Sequence, residues 1–164
     1  MKNLIPLLLS SLFFGYNSFA QELDSSNVNK INAAPLAPDL SLPSLFTFPS
    51  NLAAGSILNG NVYEFINSNE YTPAHSIYYF LSIDSVYDVS DTYLNKDSVQ
   101  ISYPNSYNYF NPTLTIPSKT SNGNYYLIAI TDFNSEVTEQ NEANNTAFTP
   151  IKISFPFVEL TLSS

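Results

Sequence analysis

The stretch Gly123–Ile153, GNYYLIAITDFNSEVTEQNEANNTAFTPIKI, reads as two strands around an acidic loop. Tyr125–Thr131 is a continuous apolar or β-favouring run with no polar helical face. Asp132–Asn145 carries four carboxylates among several Asn, residues that suit turns and solvent rather than a core. Thr146–Ser154 returns to Phe, Thr and Ile. This late hairpin predicts the last two strands of a β-sandwich.

Working outward from it, the same texture extends back to Asp39. Short β-branched and aromatic runs alternate with Asn, Pro, Ser and Asp clusters about every ten residues, the spacing of an all-β sandwich. Strands are predicted at Leu40–Phe46, Ser56–Ile66, Ser76–Ile83, Tyr93–Leu94, Val99–Tyr103, Pro112–Ile116, Asn124–Thr131 and Ala147–Ser154. Eleven Pro among 164 residues disfavour helix throughout. The 12 Phe and 12 Tyr supply the core, since each buried ring removes about 150–250 Å² from water.

The chain opens with Lys2, an apolar run Leu4–Tyr16 and Ser18-Phe19-Ala20, the pattern of a cleaved signal peptide over residues 1–20. The apolar run is shorter than the roughly 20 residues a membrane span needs, so no membrane insertion is expected after cleavage. Residues 21–37 read as a flexible leader, 38–153 as one sandwich domain and 154–164 as a tail able to add an edge strand. Export to the extracellular space, cell surface or periplasm follows. The whole chain has a formal charge of −9; without Lys2 the remaining four Lys against fourteen acids give −10 (4 − 14). Nucleic acid is excluded as a partner, because phosphate neutralisation needs a basic surface. With no Cys there is neither a disulfide framework nor a thiol nucleophile.

Several blocks resemble the CARDB family, a cell-adhesion-related bacterial module. They are PDLSLPSL from Pro38, Ala54-Gly55, Asn67, YFLSIDSVYDVSDTYL over Tyr79–Leu94, GNYYLIAITD, and EVTEQNEANNT over Glu136–Thr146. Asn69-Glu70-Tyr71 departs from the small turn residue usual there, and SYPNSYNYFNP over Ser102–Pro112 is more aromatic than usual. The resemblance implies an immunoglobulin-like β-sandwich of seven or eight strands, exported, binding or spacing rather than catalysing.

Residues able to carry chemistry are few. His75 is the one His, placed in a loop reading without any nucleophile elbow, so acyl transfer is not expected. One His and no Cys also make a poor zinc site. Asp84, Asp88 and Asp91 in the turn after the third strand form a candidate Ca²⁺ site, with the acidic Asp132–Asn145 loop a weaker one at the opposite pole. Turn closure by backbone hydrogen bonding is the competing role for both. No other cofactor is expected.

Two aromatic sets point to binding. In the third and seventh predicted strands both alternate faces are apolar, whereas a half-exposed strand should alternate with polar residues. The register that the CARDB resemblance implies puts Tyr78, Phe80, Tyr126, Ile128, Ile130 and Phe148 on the outward face, where the expected cover is a protein partner, a second copy or the chain's own tail. A second set, Tyr103, Tyr107 and Tyr109 in an Asn/Ser-rich loop over 102–112, has the composition of adaptable contact surfaces and suits stacking on sugars. The expected function is a non-catalytic exported binding, adhesion or assembly module, with a carbohydrate-binding or polymer-associated module as the alternative.

Overall fold

Strand alternation and the positions of Gly and Pro divide the chain into ten elements, seen in a computed structural model that describes residues 36–43 and 47–155. They are β1 (Asp39–Ser41), β2 (Asn51–Leu52), β3 (Ile57–Asn59), β4 (Val62–Asn67), β5 (His75–Ser82), β6 (Thr92–Val99), β7 (Ser106–Phe110), β8 (Thr113–Thr115), β9 (Gly123–Thr131) and β10 (Thr146–Ile153). Among the described residues there is no helix. The signal segment, most of the leader, Ser44–Phe46 and the tail beyond Phe155 lie outside the described residues. The strands form sheets ordered β1-β4-β7, β2-β10-β9-β5-β6 and β3-β8. Since β3 runs into β4 and β7 into β8, the two smaller sheets are one layer interrupted at Gly60-Asn61 and Asn111-Pro112. Joining those halves leaves eight strands of the ten, in two layers: an all-β, immunoglobulin-like sandwich.

The core lies where the inward faces meet. Leu58, Val62, Leu114 and Ile116 from one layer pack on Ile77, Tyr79, Leu81, Leu127, Ala129, Ile151 and Ile153 from the other. Each such side chain contributes about 1.5–3 kcal/mol on burial. Tyr79 is fully buried, and its hydroxyl donates to Asp97 Oδ2 at 2.8 Å. At the break between β3 and β4, a Cβ on Gly60 would overlap the ring of Phe48, which closes over that position. The predicted pair of strands at Tyr93–Leu94 and Val99–Tyr103 is corrected to one strand, β6. Its register shifts against β5 so that Tyr93, not Leu94, stands opposite Phe80. The segment 102–112, read as a loop, contains strand β7.

Candidate binding faces and acidic pole

The outward face of the large sheet carries the six residues expected there. In the β5–β9–β10 register Phe80 stands opposite Ile128 and Ile128 opposite Phe148, while Tyr78 pairs with Ile130 and Pro150 with Tyr126. The tail, one of the covers expected for this row, lies outside the described residues. Phe80 is 5% and Ile128 0% exposed, and the chain's own aromatic side chains pack over Phe80. Phe133, from the loop after β9, packs on Tyr78 (4.7 Å between ring centroids) and Phe80 (5.3 Å). Tyr87, from the β5–β6 loop, meets Phe80 at 4.6 Å and Phe133 edge-on at 5.2 Å. Tyr93 completes the cluster, and Lys96 Nζ lies 5.4 Å above the Tyr78 ring, a cation–π contact. Phe148 stays half exposed beside Tyr126, with Ile130 and Tyr126 partly buried.

The opposite layer presents a more open aromatic surface. Strand β7 alternates, so Asn108 and Phe110 face inward while Tyr107 and Tyr109 face out. Across the ladder to β4, Tyr107 pairs with Phe65 and Tyr109 with Tyr63. Their centroids are 4.8 and 4.9 Å apart, with tilted planes. A third pair, Tyr71–Tyr103 at 5.3 Å, flanks the bridge between Thr72 and Ser102 where the chain enters β7. Tyr103, Tyr107 and Tyr109 remain 67%, 62% and 50% exposed. Tyr63, Phe65 and Tyr71 were not singled out by the sequence reading. The alternation of Val62, Glu64 and Ile66 inward with Tyr63 and Phe65 outward is the signal that could have found the first two.

Asp84, Asp88 and Asp91 do not converge on a cation position; this candidate site is corrected. Asp84 accepts the Val86 amide, Asp88 the amide and hydroxyl of Ser90, and Asp91 the Asp88 amide. The Ser90 bonds hold the Asp88 carboxyl below its usual range. All three serve the local turn. Among the described residues the group of acids that does converge is Asp132, Glu139 and Glu142, with one oxygen of each within 4.8 Å of the others. Asp132 adopts φ 48°, and its carboxylate accepts the amides of Glu136 and Val137. Glu139 accepts the Leu40 amide of β1 and, at 2.8 Å, the Asn145 amide. Burial raises Glu139 to about 7, with the Glu142 and Asp132 charges adding to it. Burial also raises Asp132. The Oδ1 atoms of Asn144 and Asn145 nearby are buried without a partner. Three convergent carboxylate oxygens are ligands that suit a hard divalent cation.

One feature of the same pole was missed in the sequence. His75, read as a loop residue, begins β5 and is buried against Glu64, itself fully buried. Nε2 lies 2.8 Å from Glu64 Oε1 and Nδ1 2.9 Å from the Pro73 carbonyl, two acceptors that suit an imidazolium donating from both nitrogens. Glu64 also accepts from Thr131 Oγ1 and, at 2.8 Å, from Asn108 Nδ2. Burial of the ring works to lower its pKa. The Glu64 hydrogen bond and charge, the Pro73 carbonyl and the Asp132 charge outweigh it, leaving the imidazole above its ordinary value. The network ties β4 and β7 of one layer to β5 and β9 of the other. Glu64 sits between two apolar inward positions, Val62 and Ile66, which is the signal that could have found it.

No family model matches the sequence, and no curated protein matches it significantly. Solved structures do share the fold. A CARDB domain from Pyrococcus furiosus, crystallised in complex with di-metal ions, superposes with a TM-score of 0.57 at 18% identity, covering 73% of this chain and 96% of that one. A solution structure of the same domain gives 0.56 at 17% identity, over 74% and 99% of the two chains. A domain of a Methanosarcina acetivorans protein whose description places it at the cell surface gives 0.51 at 16% identity, over 73% and 94%. The chain has a CARDB-like fold.

Proposed function

We propose that this CARDB-like sandwich is an exported, non-catalytic binding or adhesion module that meets its partner through the tyrosine-lined face of β4 and β7. The observation that carries the reading is the exposure of Tyr71, Tyr103, Tyr107 and Tyr109, while the large sheet buries Phe80 and Ile128 at the centre of its own row. Exposed rings in register across a rigid ladder lose little conformational freedom on binding. The likeness to a cell-surface domain supports the exported setting. The test is adsorption of the purified protein to cell-surface material. Tyr107→Ala/Tyr109→Ala should abolish adsorption, and Tyr126→Ala/Phe148→Ala should leave it intact. The reverse pattern would move the contact to the large sheet and to a protein partner or second copy there.

A cation at the acidic pole is a second reading, favoured by the convergence of the Asp132, Glu139 and Glu142 oxygens. The Pyrococcus domain's di-metal complex adds support. Asp132, Glu139 and Glu142 would hold a Ca²⁺ ion, which neutralises their mutual repulsion and fixes the Asp132–Asn145 loop against β1. Its role there is structural. Thermal melting with millimolar Ca²⁺ against chelator tests it, since a ligand of the native state raises the midpoint by mass action.

A further inference from the structure

The strip containing the tyrosine pairs continues beyond them. From one end of the small layer to the other, the outward positions are Ile57 with Thr115, Asn59 with Thr113, Tyr63 with Tyr109, and Phe65 with Tyr107. Asn61 and Asn111 lie at the break between the halves. None of these residues is charged, in a chain whose formal charge is −9. The one acid of these strands, Glu64, faces inward and is fully buried. An uncharged strip has no electrostatic attraction for a polyanion or a basic protein segment, and it places no repelling charge before a neutral ligand.

The polar groups along the strip are amides and hydroxyls. The Tyr109 hydroxyl lies 2.7 Å from Asn61 Oδ1 and 2.9 Å from Asn111 Oδ1, and Thr113 Oγ1 donates to Asn59 Oδ1 at 2.8 Å. With its single proton the Tyr109 hydroxyl holds one of Asn61 and Asn111 by its oxygen, and Thr113 holds Asn59, so these carboxamides keep their N–H₂ groups as donors. Tyr107 and Tyr109 stand about 7 Å apart along the strand, two residues at roughly 3.4 Å each. A ligand that matches this set has apolar C–H faces repeating along its length, hydroxyl rims and no charge. That is the chemistry of a neutral polysaccharide. We propose that the strip is a binding site for a neutral polysaccharide chain, with Tyr107 and Tyr109 stacking on sugar rings and the Asn amides meeting their hydroxyls. The inference deepens the binding reading given above and rests on it.

Affinity electrophoresis in gels holding xyloglucan, glucomannan, laminarin or, as the anionic control, alginate tests it, with adsorption to cell-surface material measured in parallel. The expected result is retardation by at least one neutral polymer and none by alginate. Tyr107→Ala/Tyr109→Ala should weaken retardation about tenfold, the effect of losing two aromatic contacts. Tyr107→Phe/Tyr109→Phe, which keeps the rings, should retain most of it. Unchanged melting of the alanine variant separates lost contact from lost fold. Tyrosine-dependent adsorption to cell-surface material without retardation by any neutral polymer would overturn the polysaccharide inference and leave the binding face standing. Retardation that the alanine variant does not change would overturn this placement of the site.

Discussion

Replacing His75 by Leu would remove the partner of a fully buried carboxylate. In the wild-type protein Glu64 receives hydrogen bonds from His75, Thr131 and Asn108, and the imidazolium neutralises its charge. After the substitution the charge stays between the sheets with only two neutral donors. Breaking a buried pair in this way costs about 3–5 kcal/mol, a large part of a domain stability of about 5–15 kcal/mol. The double variant His75→Leu/Glu64→Leu removes the stranded charge. Its remaining defect is the Thr131 hydroxyl without its acceptor, because Asn108 Nδ2 keeps Ser102 Oγ at 2.8 Å. One such group costs about 1–3 kcal/mol, so the double variant should be more stable than the single one. Urea denaturation of the wild type and the variants measures both differences. A single variant within about 1 kcal/mol of wild type, or a double variant less stable than His75→Leu, refutes the buried ion pair. The pH dependence gives a second check. The folded pKa of His75 is raised, so its stabilisation is full below the unfolded value and is lost as pH rises through the folded one. Asp132 and Glu136 also face this region, so the part due to His75 is the slope that disappears in the His75→Leu/Glu64→Leu variant.

At the acidic pole, Glu139 sits near 7 in the cation-free protein, so its ionisation opposes folding from about its ordinary value upward and stability should fall toward pH 8. Ca²⁺ should raise the melting midpoint more at pH 7.5 than at pH 5.5, and Glu139→Gln should remove the difference; coincident melts at both pH values would exclude the cation. Ile128→Lys should cost about 3 kcal/mol or more in urea melts, since the ammonium has no route to water at a fully buried site, while Ile130→Lys should cost about 1 kcal/mol. Equal, small effects would mean that the aromatic cluster is open. Gly60→Ala should lower the melting midpoint because its Cβ overlaps the Phe48 ring, and Phe48→Leu should partly rescue it; an unchanged midpoint would show that the ring gives way freely.

The fold was legible because its strands alternate or run continuously apolar between turn residues, and the late hairpin of β9 and β10 has both signals. Legibility failed where one residue decides the register. The shift that brings Tyr93 opposite Phe80 depends on a bulge, which has no sequence pattern of its own. Strand β7 was read as a loop because Asn and Ser weigh against a strand by propensity, although SYNYF alternates with period two. Tertiary pairing with β4 overrode that propensity. Alternation left both faces of β5 and β9 apolar, and only the register implied by the CARDB resemblance singled out the outward row. The rings that pack on Phe80 were not legible, since Tyr87 and Phe133 come from loops whose path over a sheet leaves no periodic trace. The preference for Asp84, Asp88 and Asp91 over the Asp132–Asn145 loop as the Ca²⁺ candidate failed for a related reason. Asp84, Asp88 and Asp91 and the Asp132–Asn145 set are alike in composition, and only backbone geometry decides which carboxylates turn toward their own amides.

Edge protection makes a final connection between the fold and the tyrosine face. A free strand edge invites pairing with other chains, and proteins commonly guard it with Lys, acidic residues or Pro. At the edge of the large sheet β6 carries Lys96 and Asp97. At the edge of the small layer β7 carries no charge, and its guards are its five-residue length and the flanking Pro104 and Pro112. Charges would have guarded β7 equally well. Their absence leaves the strip of aromatic rings and amides unbroken by hydrated ions, which a neutral, stacking ligand requires. Tyr107→Lys should therefore harm binding as much as alanine at that position while leaving the oligomeric state and stability those of the wild type, to be measured by retardation in neutral polysaccharide gels, by sedimentation and by thermal melting. If Tyr107→Lys binds neutral polymers as well as the wild type, the lack of charge on β7 has no part in recognition.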